Sequence, residues 1–159
     1  MKYSVKDIII GALVFPAGDL IAAFITGDFC LMRLIGIILV GAIIYAFEIP
    51  NFFRWIEKTS SKYKGIKLSI YKTSLSTLYF NPLWISRHMA LIMWFSGKSN
   101  EISTEIFYQG LLSFIFSLPI TLAGNFMVQN MLHFKYRFFG SALFSVVMAV
   151  YYALSMEYL

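Results

Sequence analysis

The chain has 159 residues, 59% of them hydrophobic and only 13% charged, with a formal net charge of +5 and a mean hydropathy of +0.73. A soluble domain carries about 25% charged residues, so the composition excludes an ordinary soluble fold and leaves room for one helical bundle, residues 1–159. The basic residues sit at the ends of apolar stretches, where they anchor against anionic lipid rather than nucleic acid, and the single cysteine, Cys30, excludes an internal disulfide and dithiol chemistry.

Five apolar stretches follow one another: roughly Ile8–Ile25, Leu31–Phe53, Leu68–Phe95, Ile106–Leu132 and Phe138–Leu154. Each approaches the ~20 residues a helix needs to cross ~30 Å of hydrocarbon. The expected fold is therefore all-α, a polytopic transmembrane bundle of about five helices. Four remain an option, because His133-Phe134-Lys135 is a tight link between the last two stretches. The first stretch follows Lys2 and Lys6 as in a signal peptide, but Asp19 interrupts it and no clear cleavage site follows, so it reads as a retained helix.

Charge sorts between the loops. With the N-terminus inside, Lys2, Lys6, Arg54, Lys58, Lys62, Lys64, Lys67, Lys72, Lys135 and Arg137 share the inner side. The outer side has Arg33 and Lys98 beside Asp28, Glu101, Glu105 and Glu157. The lysine and arginine bias of short loops sets orientation, so the expected topology is N-in, C-out. The membrane is bacterial cytoplasmic or organellar.

Helices in lipid associate through small residues and polar groups. Gly18-x-x-x-Ala22 and Ser141-x-x-x-Ser145 read as packing pairs. In the fourth stretch Ser113, Ser117, Thr121, Asn125 and Gln129 recur every four residues, which makes a polar stripe drifting about 40° per step. Gly110 lies close to it, near the outer mouth, and Pro119 interrupts it midway. The third stretch carries Ser69, Thr73, Thr77 and Asn81, then Pro82. The plain reading is buried helix contacts; the functional one is a hydrated path between two facing stripes. The amides weigh towards function, because they have four hydrogen-bonding sites and are costly when dry. Pro16, Pro82 and Pro119 are expected to kink their helices.

Ionisable residues inside spans are rare and are usually paired or functional. Matching by depth pairs Asp19 with Arg87, and Glu48 with Lys72 or Asn125. His88, beside Arg87, reads as a hydrogen-bonded bundle residue that could also titrate near neutral pH. No metal-ligand spacing, nucleophile arrangement or phosphate loop is present, so neither an enzyme nor a cofactor is expected.

The chain resembles the peroxisomal and mitochondrial Mpv-type membrane proteins. Gly18-Asp19, the exit Phe52-Phe53-Arg54-Trp55-Ile56-Glu57, Pro82 with Gly97-Lys98-Ser99, Pro119 with Asn125-Phe126, Tyr136-Arg137 and Leu154-Ser155 carry that resemblance. Leu118 stands where the family has tryptophan, and Ser76-Thr77 where it has Asp-Gln. The stretch from Arg33 to Pro82 is also similar in layout to the bacterial L-alanine exporter family, without its Pro-Tyr-Gly and Arg-Asp motifs. Both resemblances imply passage of small solutes. The expected function is a channel or transporter path for small polar or anionic solutes, metabolites or small amino acids. Asn81, Arg87, His88, Ser117, Thr121, Asn125 and Gln129 would lie along the path. Asp19 and Glu48 would hold charges in place. A chain this small can need a homo-oligomer to enclose such a path. The alternative is a non-transporting scaffold or assembly factor whose polar residues only hold helices together.

Overall fold

The computed structural model describes the backbone of residues 3–158 and the side chains of residues 3–151. Lys2 and the side chains of Leu154, Ser155 and Glu157 lie outside the described residues. The fold is all-α, with no strand among the described residues. In chain order the helices are α1 (Val5–Thr26), α2 (Leu31–Ser60), α3 (Gly65–Tyr79), α4 (Pro82–Phe95), α5 (Glu105–Met131) and α6 (Arg137–Tyr158). Wider π turns sit within α2 at Gly41–Tyr45 and at the end of α5 at Met127–Met131. By length and apolarity α1, α2 and α5, of 22, 30 and 27 residues, can each cross a membrane.

The third apolar stretch is not one helix. It breaks into α3, of 15 residues, and α4, of 14. The cause is local. Asn81 precedes a proline, which pushes it out of the helical region, and it adopts an extended backbone (φ −75°, ψ 175°). Its side-chain oxygen accepts a hydrogen bond from Trp84 N at 3.0 Å. Pro82 takes the first helical position, where its missing N–H costs nothing. Pro82 therefore starts a helix instead of kinking one, and Asn81 caps it. Pro16 and Pro119 lie inside α1 and α5, whose helical structure runs through both.

Two compact units divide the chain: residues 1–51 with 138–159, and residues 52–137. In the first, α1 packs on α2 at the Gly11–Gly41 backbone approach and through Phe15 against Tyr45, ring centroids 4.9 Å apart. Gly18 faces Val146 of α6, which makes the small-residue position a plain packing contact. In the second, α3 and α4 run in succession, antiparallel, along α5. Thr73 meets Asn130, Thr77 meets Asn125, and Ser86 meets Ile106. The broken stretch thus follows α5 over most of its length. Gly110 permits the close passage of α4: a Cβ there would overlap Ser86 Oγ and lie 2.8 Å from Pro82 O. The mildness that a position near an outer mouth suggests for Gly110→Ala does not hold, because this glycine is wedged against a backbone carbonyl.

Burial is inverted relative to a soluble protein. On α5, Phe116 is 71% exposed while its neighbour Ser117 is 1% exposed. Leu111, Ile115, Leu122, Phe126 and Met131 also face outward, as Leu13, Phe24, Leu39 and Ile43 do on α1 and α2. So much outward apolar surface calls for a non-aqueous surrounding.

Candidate functional site

The buried polar face of α5 is built by periodicity. Ser117, Thr121, Asn125 and Gln129 are all buried, and the α3 side chains opposite, Lys72, Thr73, Ser76 and Thr77, are buried too. The spacing of 72, 73, 76 and 77 places them on one helical face. The π turn at the end of α5 then widens the helix by one residue. Gln129 and Asn130, adjacent in sequence, both reach α3: Gln129 Nε2 donates to Ser76 Oγ at 3.3 Å and Asn130 Nδ2 to Thr73 Oγ1 at 3.0 Å. Single π turns of this kind recur at functional sites.

The side chains form a ladder. Ser76 Oγ donates to Asn125 Oδ1 at 2.9 Å, and Asn125 Nδ2 donates to Thr77 Oγ1 at 3.2 Å. Further along α5, Thr121 Oγ1 lies 3.4 Å from Ser117 Oγ. At the other end the ladder reaches charge. Arg137 Nη1 donates to Gln129 Oε1 at 3.3 Å and to Glu57 Oε1. Lys72 Nζ donates to the same Glu57 oxygen at 2.5 Å. Arg137 Nε also donates to Leu132 O at 3.3 Å. One carboxylate therefore serves two cations that are about nine-tenths buried, while Glu57 itself is 36% exposed. The cluster carries a net charge of +1, and an unbroken run of hydrogen bonds joins it to Thr77.

The structure brings Ser117, Thr121, Asn125, Gln129 and Lys72 onto this face and places the other expected residues elsewhere. Asn81 is committed to capping α4. Arg87 is exposed, its guanidinium 5.9 Å from the Trp84 ring, and half-buried His88 stacks on the same indole at 5.6 Å. Asp19 is held by Arg33, not Arg87: Arg33 Nε donates to Oδ1 and Oδ2 at 2.9 and 3.0 Å, and Nη2 to Oδ1 at 2.7 Å. The turn after Thr26, with Gly27 in the left-handed region (φ 69°), sends the chain back so that Arg33 returns to the depth of Asp19. Lys72 takes Glu57, and Asn125 takes Ser76 and Thr77, in place of the expected Glu48. Glu48 instead lines a shallow, largely apolar groove of about 500 Å³ with Tyr3, Ile43, Ile44 and Phe47.

Glu57 and Arg137 are the functional candidates that sequence reasoning passed over, having read Arg137 as an inner-side anchor and part of the Tyr136-Arg137 motif, and Glu57 as part of a helix exit. The available signal was three charged residues, 57, 72 and 137, all at or near ends of apolar stretches that the charge pattern groups on one side. Compared with protein families, with curated proteins and with solved structures, the chain shows no match.

Proposed function

We propose that this is a multi-pass integral membrane protein that passes small polar or anionic solutes, and that the α3–α5 ladder is its path in a closed form. The observation that carries the reading is the ladder itself. Its rungs are largely side chain to side chain, a minority class of about 10–15% of hydrogen bonds in folded proteins. Such bonds can be exchanged for water or solute without unwinding either helix. Each such bond adds little to holding two helices together, about 0.6 kcal/mol on average in membranes, so exchanging one for water or solute costs little. The α3–α4 break supports the same reading. Non-helical backbone at membrane depth is tolerated where it is buried in protein or lines a water-filled cavity, and interrupted spans are a mark of solute sites. Both family resemblances imply the same class of activity.

The test is flux in liposomes across a panel of small solutes. Thr121→Trp and Asn125→Leu should each cut flux at least about tenfold, a loss equivalent to ~1.4 kcal/mol or more, with the protein still abundant in the membrane. In a Cys30→Ser background, cysteines at Ser117, Thr121 and Asn125 should react with water-soluble thiol reagents during transport, while one at lipid-facing Phe116 should not. The scaffold reading is favoured by one observation: Ser76 and Gln129 are fully buried with protein partners. Inert stripe cysteines together with unchanged flux would establish it instead.

The orientation that goes with this reading is N-in, C-out. A reporter fused after Lys62 should read the inner side, and reporters after Ser99 or at the C-terminus the outer side. An inner reading at Ser99 would mean that α3 and α4 enter and leave from one side.

A further inference from the structure

We propose that Lys72 and Arg137 form a binding site for the carboxylate of a small solute, and that Glu57 occupies that site as a tethered stand-in when no solute is bound. The proposal deepens the transport reading and rests on it for its biological meaning, though the binding itself is separable.

Three features of the cluster converge. First, the two cations come from different helices, α3 and the start of α6, and are about nine-tenths buried, yet they meet on one oxygen of one carboxylate. Two buried cations without an anion would repel at short range in a poorly screened setting, so a carboxylate beside them lowers the energy of the site. Second, Glu57 is the member best placed to leave. It is the most exposed of the three and sits three residues before the end of α2 at Ser60. A solute carboxylate that replaces it preserves the charge balance of the buried pair while the Glu57 carboxylate moves into water. Third, the site continues into the ladder. Gln129 accepts from Arg137 on one side and donates to Ser76 on the other. A carboxylate at the cations thus has neutral hydroxyl and amide groups directly ahead of it. Arginine suits this role, because its planar fork matches a carboxylate.

The recognised chemistry is a monocarboxylate small enough to sit where one glutamate head sits. Acetate is the probe. Purified full-length protein in detergent is titrated with sodium acetate, with sodium chloride at matched ionic strength as the reference, and thermal unfolding is followed. The tethered carboxylate competes at an effective concentration in the millimolar range. Glu57→Gln should therefore lower the acetate concentration for half-maximal stabilisation at least about tenfold relative to the unaltered chain. Should Glu57→Gln not fold without anion, Glu57→Asp keeps the charge and shortens its reach; it should show the same shift to a smaller degree. Lys72→Gln in the Glu57→Gln background should abolish the acetate response. An equal response to chloride, or no gain in acetate response in either Glu57 variant, overturns the site. The two proposals fail separately. Acetate binding without solute flux removes the transport reading and leaves the site, and flux without acetate binding does the reverse.

Discussion

Asp19→Asn or Arg33→Gln, made alone, should destabilise the protein by about 3–5 kcal/mol, and the double variant should recover much of that loss. The pair joins α1 to α2 within the first unit. Both side chains are about nine-tenths buried, with separations as short as 2.7 Å. The geometry uses both carboxylate oxygens and two guanidinium nitrogens, which is what lets mutual attraction offset two desolvation penalties. Removing one partner leaves the other charge buried. Asp28 cannot take over for Asp19 at equal strength, because it lies 3.6 Å from Arg33 Nη1 and its side chain is 56% exposed. The check is a double-mutant cycle in a detergent unfolding assay. Strictly additive losses would mean that the two residues do not share an interaction, and the contact would have no energetic content.

That pair also shows where sequence reasoning reached and where it stopped. Asp19 was legible as a buried charge needing a cation, because an acid inside an apolar stretch demands one. Its partner was not, because Arg33, at the start of the Leu31–Phe53 stretch, was counted as an outer-side charge, and matching by depth chose Arg87 instead. The four residues from Gly27 to Cys30 return the chain at once, and Arg33 is the third residue of α2, close enough to reach back to Asp19. The α5 stripe was legible from Ser117 to Gln129, since a four-residue recurrence of hydroxyls and amides fixes one face whatever lies opposite, while Ser113, the first of the recurrence, is only half-buried. Its meeting with Thr77, through Asn125, followed from the same logic. Asn130 was hidden by the π turn, which shifts the helical phase by a residue that no sequence period announces. The α3–α4 break had its signal in plain view, an asparagine before a proline, and was overridden by the continuous apolarity on either side. Glu57 and Arg137 are 80 positions apart in sequence and meet only through the tertiary fold. The positive-inside pattern gave Arg137 a sufficient role by itself, so nothing prompted a search for an acid beside it.

Gly11→Ala should be among the most disruptive single-methyl additions in the chain. At this position α1 and the π turn of α2 touch backbone to backbone. A Cβ on Gly11 would overlap Gly41 O and lie 2.7 Å from Gly41 C, and one on Gly41 would overlap Gly11 O and lie 2.9 Å from Gly11 C. A flexible side chain could move aside; a helix carbonyl can yield only if the whole helix moves. Separating the two helices would disturb the Phe15–Tyr45 contact and stretch the hydrogen bond from Tyr3 OH to Ala42 O, now 2.6 Å. It would also open the fully buried positions of Ile37 and Tyr45. Overpacking a tight core costs about 1–3 kcal/mol, occasionally more, and the overlap with a rigid carbonyl places this substitution at the upper end. Gly41→Ala should match it, and the double variant should be worse than either, since each added methyl group meets the opposite backbone. Unfolding midpoints in detergent for the three variants measure this directly. If Gly11→Ala and Gly41→Ala both unfold with the unaltered protein, the helices are not in backbone contact there, and the packing of α1 on α2 must be held by Phe15 and the Asp19–Arg33 pair instead.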